Sequence, residues 1–271
     1  MNTKQRSTEI RKLIIECIGS LGVGHLGGCL SIADFLSVLY TNHMHVDPKN
    51  PNLEGRDRLI LSKGHAGPAL YATLASFGYF EKERLKTLNQ LGTTLPSHCN
   101  RQLTPGVDMT TGSLGQGISC AVGCAIASKI KNDGAHIYCV VGDGESQEGQ
   151  VWEAAMLAAH KKLGNLTVVV DNNKMQIDGR TEEIVKPFSF RKKWEAFGFK
   201  VIECDGHDVD AIDAALTLAE KTRSKPTAII LDTVKGKGVS FIEAAGVANH
   251  SMSISPEQVQ QALKELDEEG C

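Results

Sequence analysis

The sequence lacks long apolar runs, a signal segment and an excess of positive charge. No apolar run approaches the roughly 20 residues that a transmembrane helix needs, and the first nine residues contain no signal-peptide apolar region. The 29 basic and 32 acidic residues give a net charge of −3, which excludes an overall cationic field for nucleic acid or an anionic membrane. We therefore expect a cytoplasmic protein that binds neither nucleic acid nor membranes.

The sequence also lacks paired cysteines. Its eight cysteines are scattered, none forms a C-x-x-C pair, and several lie in apolar stretches: Cys17, Cys29, Cys99, Cys120, Cys124, Cys139, Cys204 and Cys271. This pattern indicates reduced thiols that act as small core residues, and it gives no support for a zinc site.

The chain is long enough, at 271 residues, for one large α/β domain, and we expect a single domain over residues 1–271. Apolar spacing predicts a first helix over residues 5–21, and a glycine cluster ends it. Ser31 is then expected to cap a second helix reaching about Met44. Strands are predicted over residues 58–61, 136–141, 166–170, 201–202 and 228–231, with helices over 69–77, 117–131, 148–162, 209–222 and 255–268. Alternation of this kind favours a parallel sheet with helices on both faces.

A glycine motif near the N-terminus has the letters of a dinucleotide-binding fingerprint, Gly22-x-Gly24-x-x-Gly27. That fingerprint needs a strand before the glycines, and here an amphipathic helix precedes them. We therefore reject a dinucleotide site and expect a flexible loop that brings His25 close to a ligand.

Two further motifs follow neighbouring predicted strands. Gly142-Asp143-Gly144-Glu145 comes after one strand, and Asn172-Asn173 ends the next. Ligands bind at the carboxyl ends of strands in open parallel sheets. A carboxylate from Asp143 and an amide oxygen from Asn173 suit Mg²⁺, which shares its shell with substrate phosphates. Gly144 would let the backbone approach a diphosphate, and the following helix N-terminus would favour the anion.

These motifs resemble the thiamine-diphosphate-binding motif, and the surrounding sequence is similar to transketolases over nearly the whole chain. The matching stretches are GDGESQEG at 142–149, DNNKMQIDG at 171–179, SKGHA at 62–66, TTGSLGQG at 110–117 and TVKGKGV at 233–239. The resemblance covers the N-terminal, diphosphate-binding module of a transketolase and implies the α/β fold of that module.

The resemblance implies thiamine diphosphate with Mg²⁺, or Ca²⁺ or Mn²⁺ in its place. The implied metal ligands are Asp143, Asn173 and the main-chain oxygen of Met175. The implied cofactor contacts are Gly112, Ser113, Leu114, Asp143, Gly144, Asn173, Ile177, His65 and His250.

The resemblance also implies catalytic roles for four histidines and a glutamate. His65 and His250 would lie between the diphosphate and the reacting carbon, and His25 and His98 would contact substrate hydroxyls. Glu148 would lie at a subunit interface, in a carboxylate network that links active sites. Each imidazole suits acid–base work near neutral pH.

The departures from the family pattern lie near the histidines that, by the resemblance, would face the sugar substrate. Leu26 replaces the usual proline, Ser97 and Cys99 flank His98, and His250 lies in Asn249-His250-Ser251-Met252 instead of the usual W-H-G-K. The motifs therefore indicate the cofactor without identifying the sugar. We expect His207 to cap a helix, and Lys235 and Lys237 to lie on the solvated surface.

The predicted function is that of the N-terminal subunit of a split transketolase, which moves a two-carbon ketol unit from an anionic ketose to an aldose. A separate C-terminal subunit would supply the catalytic glutamate, in an α₂β₂ assembly. Three alternatives remain open: a 2-oxo-acid dehydrogenase α-like subunit, a deoxyxylulose-phosphate synthase-like subunit, and a non-catalytic partner that retains the fold.

Overall fold

A computed structural model describes residues 1–269, so Cys271 lies outside the described residues. The helices are α1 (Thr3–Leu21), α2 (Leu26–Leu30), α3 (Ala33–Val38), α4 (Gly67–Ser76), α5 (Gln116–Lys131), α6 (Gly149–His160), α7 (Thr181–Ile184), α8 (Phe190–Ala196), α9 (Val209–Glu220), α10 (Ser240–Ala244) and α11 (Pro256–Glu269). The strands are β1 (Val23–Gly24), β2 (Arg58–Leu61), β3 (Ile137–Gly142), β4 (Leu166–Asn172), β5 (Met175–Gln176), β6 (Gly179–Arg180), β7 (Lys200–Asp205), β8 (Thr227–Asp232) and β9 (Met252–Ser253).

A five-stranded parallel sheet in the order β2-β3-β4-β8-β7 forms the centre of the molecule. Its inner strands are buried on both faces, which explains their nearly continuous apolar sequences. On β3, Tyr138 and Val140 face one hydrophobic cluster, while Ile137, Cys139 and Val141 face the other. This alternation follows from the two-residue period of a strand.

Helices cover both faces of the sheet. The first cluster contains buried residues of α1, α3, α4 and α9, and the second contains residues of α5, α6 and α8. The structure thus confirms the predicted α/β fold class, with a parallel sheet and helices on each side.

Local sequence signals set several helix ends. The Asn2 side chain accepts a hydrogen bond from the Gln5 main chain, and the Gln5 side chain accepts one from the Asn2 main chain, forming a capping box at the start of α1. Gly22, with φ of 80°, ends α1 in the left-handed region. Pro256 is the first residue of α11, as predicted.

The prediction for residues 31–44 was right that helical structure reaches Met44 and wrong that Ser31 caps it. Ser31 ends α2 instead of beginning a helix, and Ile32 precedes α3. The segment that follows, Leu39–His43, is π-helical. The Ser31 hydroxyl donates to Asp171 on the sheet, and this buried tertiary bond removes it from a capping role.

The seven cysteines within residues 1–269 are free, and four of them are buried. None of the helices in the same residues is both long and apolar enough to cross a membrane.

Candidate functional site

The loops that follow β2, β3, β4 and β8 meet at the carboxyl edge of the sheet and enclose a cavity of about 140 Å³. Nine of the predicted residues line it: His65, Leu114, Asp143, Gly144, Glu148, Asn173, Met175, Ile177 and His250. A larger cavity of about 740 Å³ lies beside it, along β7 and β8, and contains none of them. We take the smaller cavity as the site because the motifs converge there.

Asp143 is a buried carboxylate without a cationic partner among the described residues. Its Oδ1 accepts a hydrogen bond from Gly144 N at 2.8 Å, and its Oδ2 accepts one from Lys174 N. Lys174 has φ of 66°, in the left-handed region. Burial and the nearby Asp171 raise the pKa of Asp143 to about 7, although hydrogen bonds and Lys63 act in the opposite direction.

Asn173 lies beside Asp143 with its amide orientation fixed. Its Nδ2 donates to Asp171 Oδ2 at 2.9 Å, and its Oδ1 accepts from Met175 N at 3.2 Å. Within residues 1–269 no group of three His, Cys, Asp or Glu side chains could hold a metal. A metal here would therefore depend on amide and carbonyl oxygens as well as the Asp143 carboxylate.

A buried ion pair, which the sequence analysis did not identify as functional, underlies the site. Lys63 Nζ donates to Asp171 Oδ2 at 2.5 Å and to Gly28 O at 2.7 Å, and both side chains are almost fully buried. Asp171 also accepts from the hydroxyls of Ser31 and Thr233. The pKa of Asp171 is lowered because Lys63 and these donors outweigh its burial. Lys63 and Asp171 both lie in stretches that match the transketolase motifs, and this match was the sequence signal that could have identified them.

Glu145 holds three of the site loops together. Its carboxylate accepts from the Ser62 hydroxyl, from Gly115 N at 2.9 Å and from Gly142 N at 3.0 Å. These bonds fold the residues after Gly144 into a 3₁₀ turn, so α6 begins at Gly149. The predicted helix, which begins at about residue 148 after the Gly142–Glu145 motif, is therefore confirmed.

The four predicted histidines come together although they are far apart in sequence. The ring of His25 has its centre 5.5 Å from His65, 5.8 Å from His98 and 5.3 Å from His250, and the His65–His250 distance is 4.8 Å. His98 also packs against the loop of Gly112, where an added Cβ would lie 3.2 Å from its ring.

Two of these histidines are held neutral. Burial, followed by the charge of Lys63, lowers the pKa of His65 well below its usual value. Burial, followed by the charge of Lys235, lowers the pKa of His250 to about 3. A neutral imidazole offers one hydrogen-bond donor and one acceptor, so both rings can orient polar groups of a ligand.

Lys235 lies in the site, and its prediction as a solvated surface residue was wrong. It is 3% exposed, and its Nζ lies 3.1 Å from His250 Nδ1. Burial, followed by the charge of Lys63, lowers its pKa to about 8. Lys237, two residues further along, is half-buried.

Asn249 links the loops around these side chains. Its Nδ2 donates to Lys235 O at 3.0 Å and to Ile242 O at 2.9 Å, and the side chain is fully buried. An added Cβ on Gly27 would lie 2.1 Å from Asn249 Oδ1, so the loop of His25 needs glycine at this point. Sequence reasoning treated Asn249 only as a departure from the family pattern.

Two lining residues, Glu148 and Ile177, lie at the rim of the cavity, and Ser113 and Gly112 belong to the adjoining loop. Ser113 and Glu148 are exposed, and Ile177 is 61% exposed beside the cavity. Gly112, with φ of 151°, packs against Gly64, where an added Cβ would lie 2.6 Å from Gly112 N.

His207 does not cap a helix, contrary to prediction. Asp208 is the N-cap of α9, and its side chain accepts from Asp210 N and Ala211 N. The His207 ring instead contacts Asp34 and Val234.

Comparison with known proteins identifies the family. Residues 2–269 match the family described as "Transketolase, thiamine diphosphate binding domain". The chain belongs to the transketolase family. It is 51% identical over 271 residues to the 6-deoxy-6-sulfo-D-fructose transketolase subunit SqwG of Clostridium sp. (strain MSTE9), covering 100% of this chain and 98% of the relative.

Two further transketolases show the same relationship. An apulose-4-phosphate transketolase subunit of Phocaeicola vulgatus is 38% identical over 97% of this chain and 93% of its own length. The transketolase structure from Leishmania mexicana superposes with a TM-score of 0.92 at 32% identity, over 98% of this chain. This chain spans 41% of that longer transketolase chain.

These matches confirm the predicted family, a transketolase N-terminal subunit with a thiamine diphosphate-binding domain, and they confirm the transketolase type of transferase. They do not favour the three alternatives.

Proposed function

We propose that this chain, as one domain over residues 1–271, is the diphosphate-binding subunit of a cytoplasmic two-chain transketolase. The observation that supports this most directly is the convergence of His25, His65, His98 and His250 beside the Asp143–Asn173 motif, within the cavity region of a transketolase-type fold.

The metal end of the site fits a divalent cation. Asp143 is 2% exposed, no side-chain cation within residues 1–269 pairs with it, and Asp171 lies close enough to raise its pKa. A cation would compensate the charge of Asp143, since Asp171 is already paired with Lys63. We propose Mg²⁺, or Ca²⁺ or Mn²⁺, on Asp143, Asn173 and the Met175 carbonyl, with Gly112, Ser113, Leu114, Gly144 and Ile177 contacting the cofactor.

Bound thiamine diphosphate supplies the nucleophilic carbon and the electron sink for cleavage of the bond next to a ketose carbonyl. This chain's residues would position it and move protons. His250 accepts from Lys235 at Nδ1, so its own proton lies on Nε2 and is available for donation. His65 is neutral beside it, and His25 and His98 would contact the sugar hydroxyls.

A partner chain would complete the site. Two relatives are named as subunits of transketolases, and the chain spans 41% of a longer transketolase. We propose that a separate C-terminal subunit covers the exposed rim of Glu148 and Ile177, contributes the catalytic glutamate, and assembles as α₂β₂.

The donor is proposed to be a ketose with a terminal anion. The relative with 51% identity is named for 6-deoxy-6-sulfo-D-fructose, and the relative with 38% identity for apulose 4-phosphate. The higher identity favours the sulfonated sugar.

The test is a transferase assay of the purified chain with Mg²⁺ and thiamine diphosphate, with and without the co-expressed C-terminal subunit. We expect turnover of 6-deoxy-6-sulfo-D-fructose with an aldose phosphate acceptor only when both chains are present. Robust turnover by the isolated, monodisperse chain would refute the need for a partner.

Apulose 4-phosphate serves as the matched comparison donor. A higher kcat/KM with that sugar would contradict the sulfonated donor while leaving the transketolase function in place. No turnover of any ketose by the assembled pair would contradict the function itself.

A further inference from the structure

A buried cluster outside the cavity lies behind the loop that carries Lys235. Arg11 on α1 donates through Nη1 and Nη2 to the two oxygens of Asp34 on α3, at 2.9 and 2.5 Å. His207, after β7, contacts Asp34 Oδ2 through Nδ1 at 2.9 Å. A buried ion pair is often no more stabilising than apolar packing of the same volume. The position of this cluster in the fold therefore indicates a role other than stability.

The neighbours of His207 determine its tautomer. Val234 N–H donates to His207 Nε2 at 2.8 Å, and a main-chain N–H can only donate. Nε2 is therefore unprotonated, and Nδ1–H donates to Asp34. The ring therefore bridges the carboxylate and the loop through its two nitrogens.

The cluster holds the loop on each side of Lys235. His207 binds Val234 N, one residue before it, and Arg11 Nε donates to Lys237 O at 3.1 Å, two residues after it. Gly236 lies between these anchors with φ of 92°, a conformation that favours glycine. The position of the loop thus depends on the groups that bind it.

Lys235 transmits this position to the site. Its Nζ contacts His250 Nδ1 at 3.1 Å, and an ammonium group can only donate. His250 therefore accepts at Nδ1 and keeps its proton on Nε2 for as long as Lys235 stays in place.

We propose that Arg11, Asp34 and His207 are positioning residues of the transferase reaction, holding the 234–237 loop so that Lys235 fixes the Nε2–H tautomer of His250. The proposal rests on the proposed function, in which His250 faces the reacting carbon.

The first test uses the full cofactor-free chain with ¹⁵N-labelled histidine, and NMR of the imidazole nitrogens. The nine histidines are assigned with single variants, including His250→Gln. We expect wild-type His250 to be protonated at Nε2 alone, and His207→Leu to give a mixture of tautomers. Unchanged His250 signals in His207→Leu would overturn the proposal. This measurement needs neither cofactor nor partner, so it can be interpreted even if the proposed function fails.

Two substitutions and a control keep the result specific. His207→Gln can accept from Val234 and donate to Asp34, so it should restore most of the wild-type tautomer. Asp208→Ala removes the N-cap of α9 in the same turn, and it should lower the melting temperature without changing the His250 signals. If His207→Leu does not fold, the shorter His207→Asn, which cannot reach both partners, takes its place.

The second test is a double-mutant cycle in the assembled enzyme. His207→Leu should lower kcat about tenfold, and Lys235→Met should lower it at least as much. The double variant should lose no more than Lys235→Met alone, because His207 acts through Lys235. Additive losses in the double variant would show that His207 stabilises the fold without positioning Lys235.

Discussion

The two edges of the central sheet both collect ionisable side chains, but they pair them differently. At the amino edge, His43 lies between Glu220 and Asp213, at 2.8 and 3.2 Å, and the Tyr138 hydroxyl donates to Glu220. At the carboxyl edge, like groups lie side by side: four histidines, Lys235 beside His250, and Asp143 beside Asp171.

This difference distinguishes ionisable groups that serve the fold from ionisable groups that form a functional site. Complementary pairs at the amino edge satisfy each other within the fold. At the carboxyl edge burial, together with neighbouring groups of like charge, shifts the pKa values of side chains that line one cavity, and such a cluster indicates a functional site. An anionic cofactor with a divalent cation would supply the missing counter-charges.

The largest expected effect comes from the same substitution at the two edges. Asp143→Asn in the assembled enzyme should weaken Mg²⁺-dependent thiamine diphosphate binding at least a thousandfold, about 4 kcal/mol, because it removes the one carboxylate of the proposed metal site. Its metal-free stability should fall less than that of the control below, because the loss of one of the bonds from Gly144 N and Lys174 N is offset by relief of the repulsion from Asp171. Asn173→Ala should also abolish binding without unfolding the chain. Calorimetric titration and thermal unfolding measure the two quantities.

Asp57→Asn is the matched control at the amino edge. Asp57 accepts from His136 N and His45 N, at 2.7 and 2.8 Å, and an amide can accept only one of these bonds. Stability should fall by about 1–3 kcal/mol while cofactor affinity stays normal. Near-normal affinity in Asp143→Asn would remove the basis for the metal assignment.

The second prediction compares two ion pairs, one at each edge of the sheet, that differ in burial. Lys63→Met leaves Asp171 buried without its cation, and it should cost about 3–5 kcal/mol in the free energy of unfolding, measured with urea. Arg56→Met, which breaks a less buried pair with Asp108 at the amino edge, should cost less. Equal losses would show that burial does not distinguish the two pairs.

The third prediction concerns the histidines. His65→Ala and His250→Ala should lower kcat on the order of a hundredfold with little change in cofactor affinity, because they would act on groups that change charge during the reaction. His25→Ala and His98→Ala should mainly raise the KM for the sugar. Steady-state kinetics of the assembled enzyme distinguish these patterns.

The control for the histidines is His45→Ala, an exposed histidine near the amino edge, which should leave both parameters unchanged. Normal turnover in the His65 or His250 variant would assign that residue a structural role.

The smallest effect that we expect is on the pH dependence of stability, to which His136 at the amino edge contributes. Burial lowers the pKa of His136 to about 4, so the unfolded chain binds more protons than the folded chain between about pH 4 and 6.5. Stability should therefore fall as the pH falls through this window. His136→Gln should reduce the slope by one proton, about 1.4 kcal/mol per pH unit at most. Urea unfolding from pH 4 to 7 measures the slope. Part of the slope should remain in the variant, because His65 and His250 also have lowered pKa values. An unchanged slope would show that His136 is not held neutral by the fold.

The parallel sheet, most of its elements and the two residues of the proposed metal site, Asp143 and Asn173, were predictable from the sequence alone. Continuous apolar runs such as β3 and β4 identify strands buried on both faces, and GDG and NN follow directly after them. Because parallel strands end at one edge, adjacency along the chain was enough to bring Asp143 and Asn173 together.

Only the tertiary structure decided which other polar residues belong to the site. Lys235 comes directly after the exposed Val234 and two residues before the half-buried Lys237, so no local pattern marks it as buried. His207 reads as a cap from its neighbours, yet it binds Asp34, 173 residues away. Such contacts depend on which loops the topology brings together, and local sequence spacing carries no information about that. Sequence patterns therefore missed Lys235 and His207, whose positions depend on contacts between distant loops.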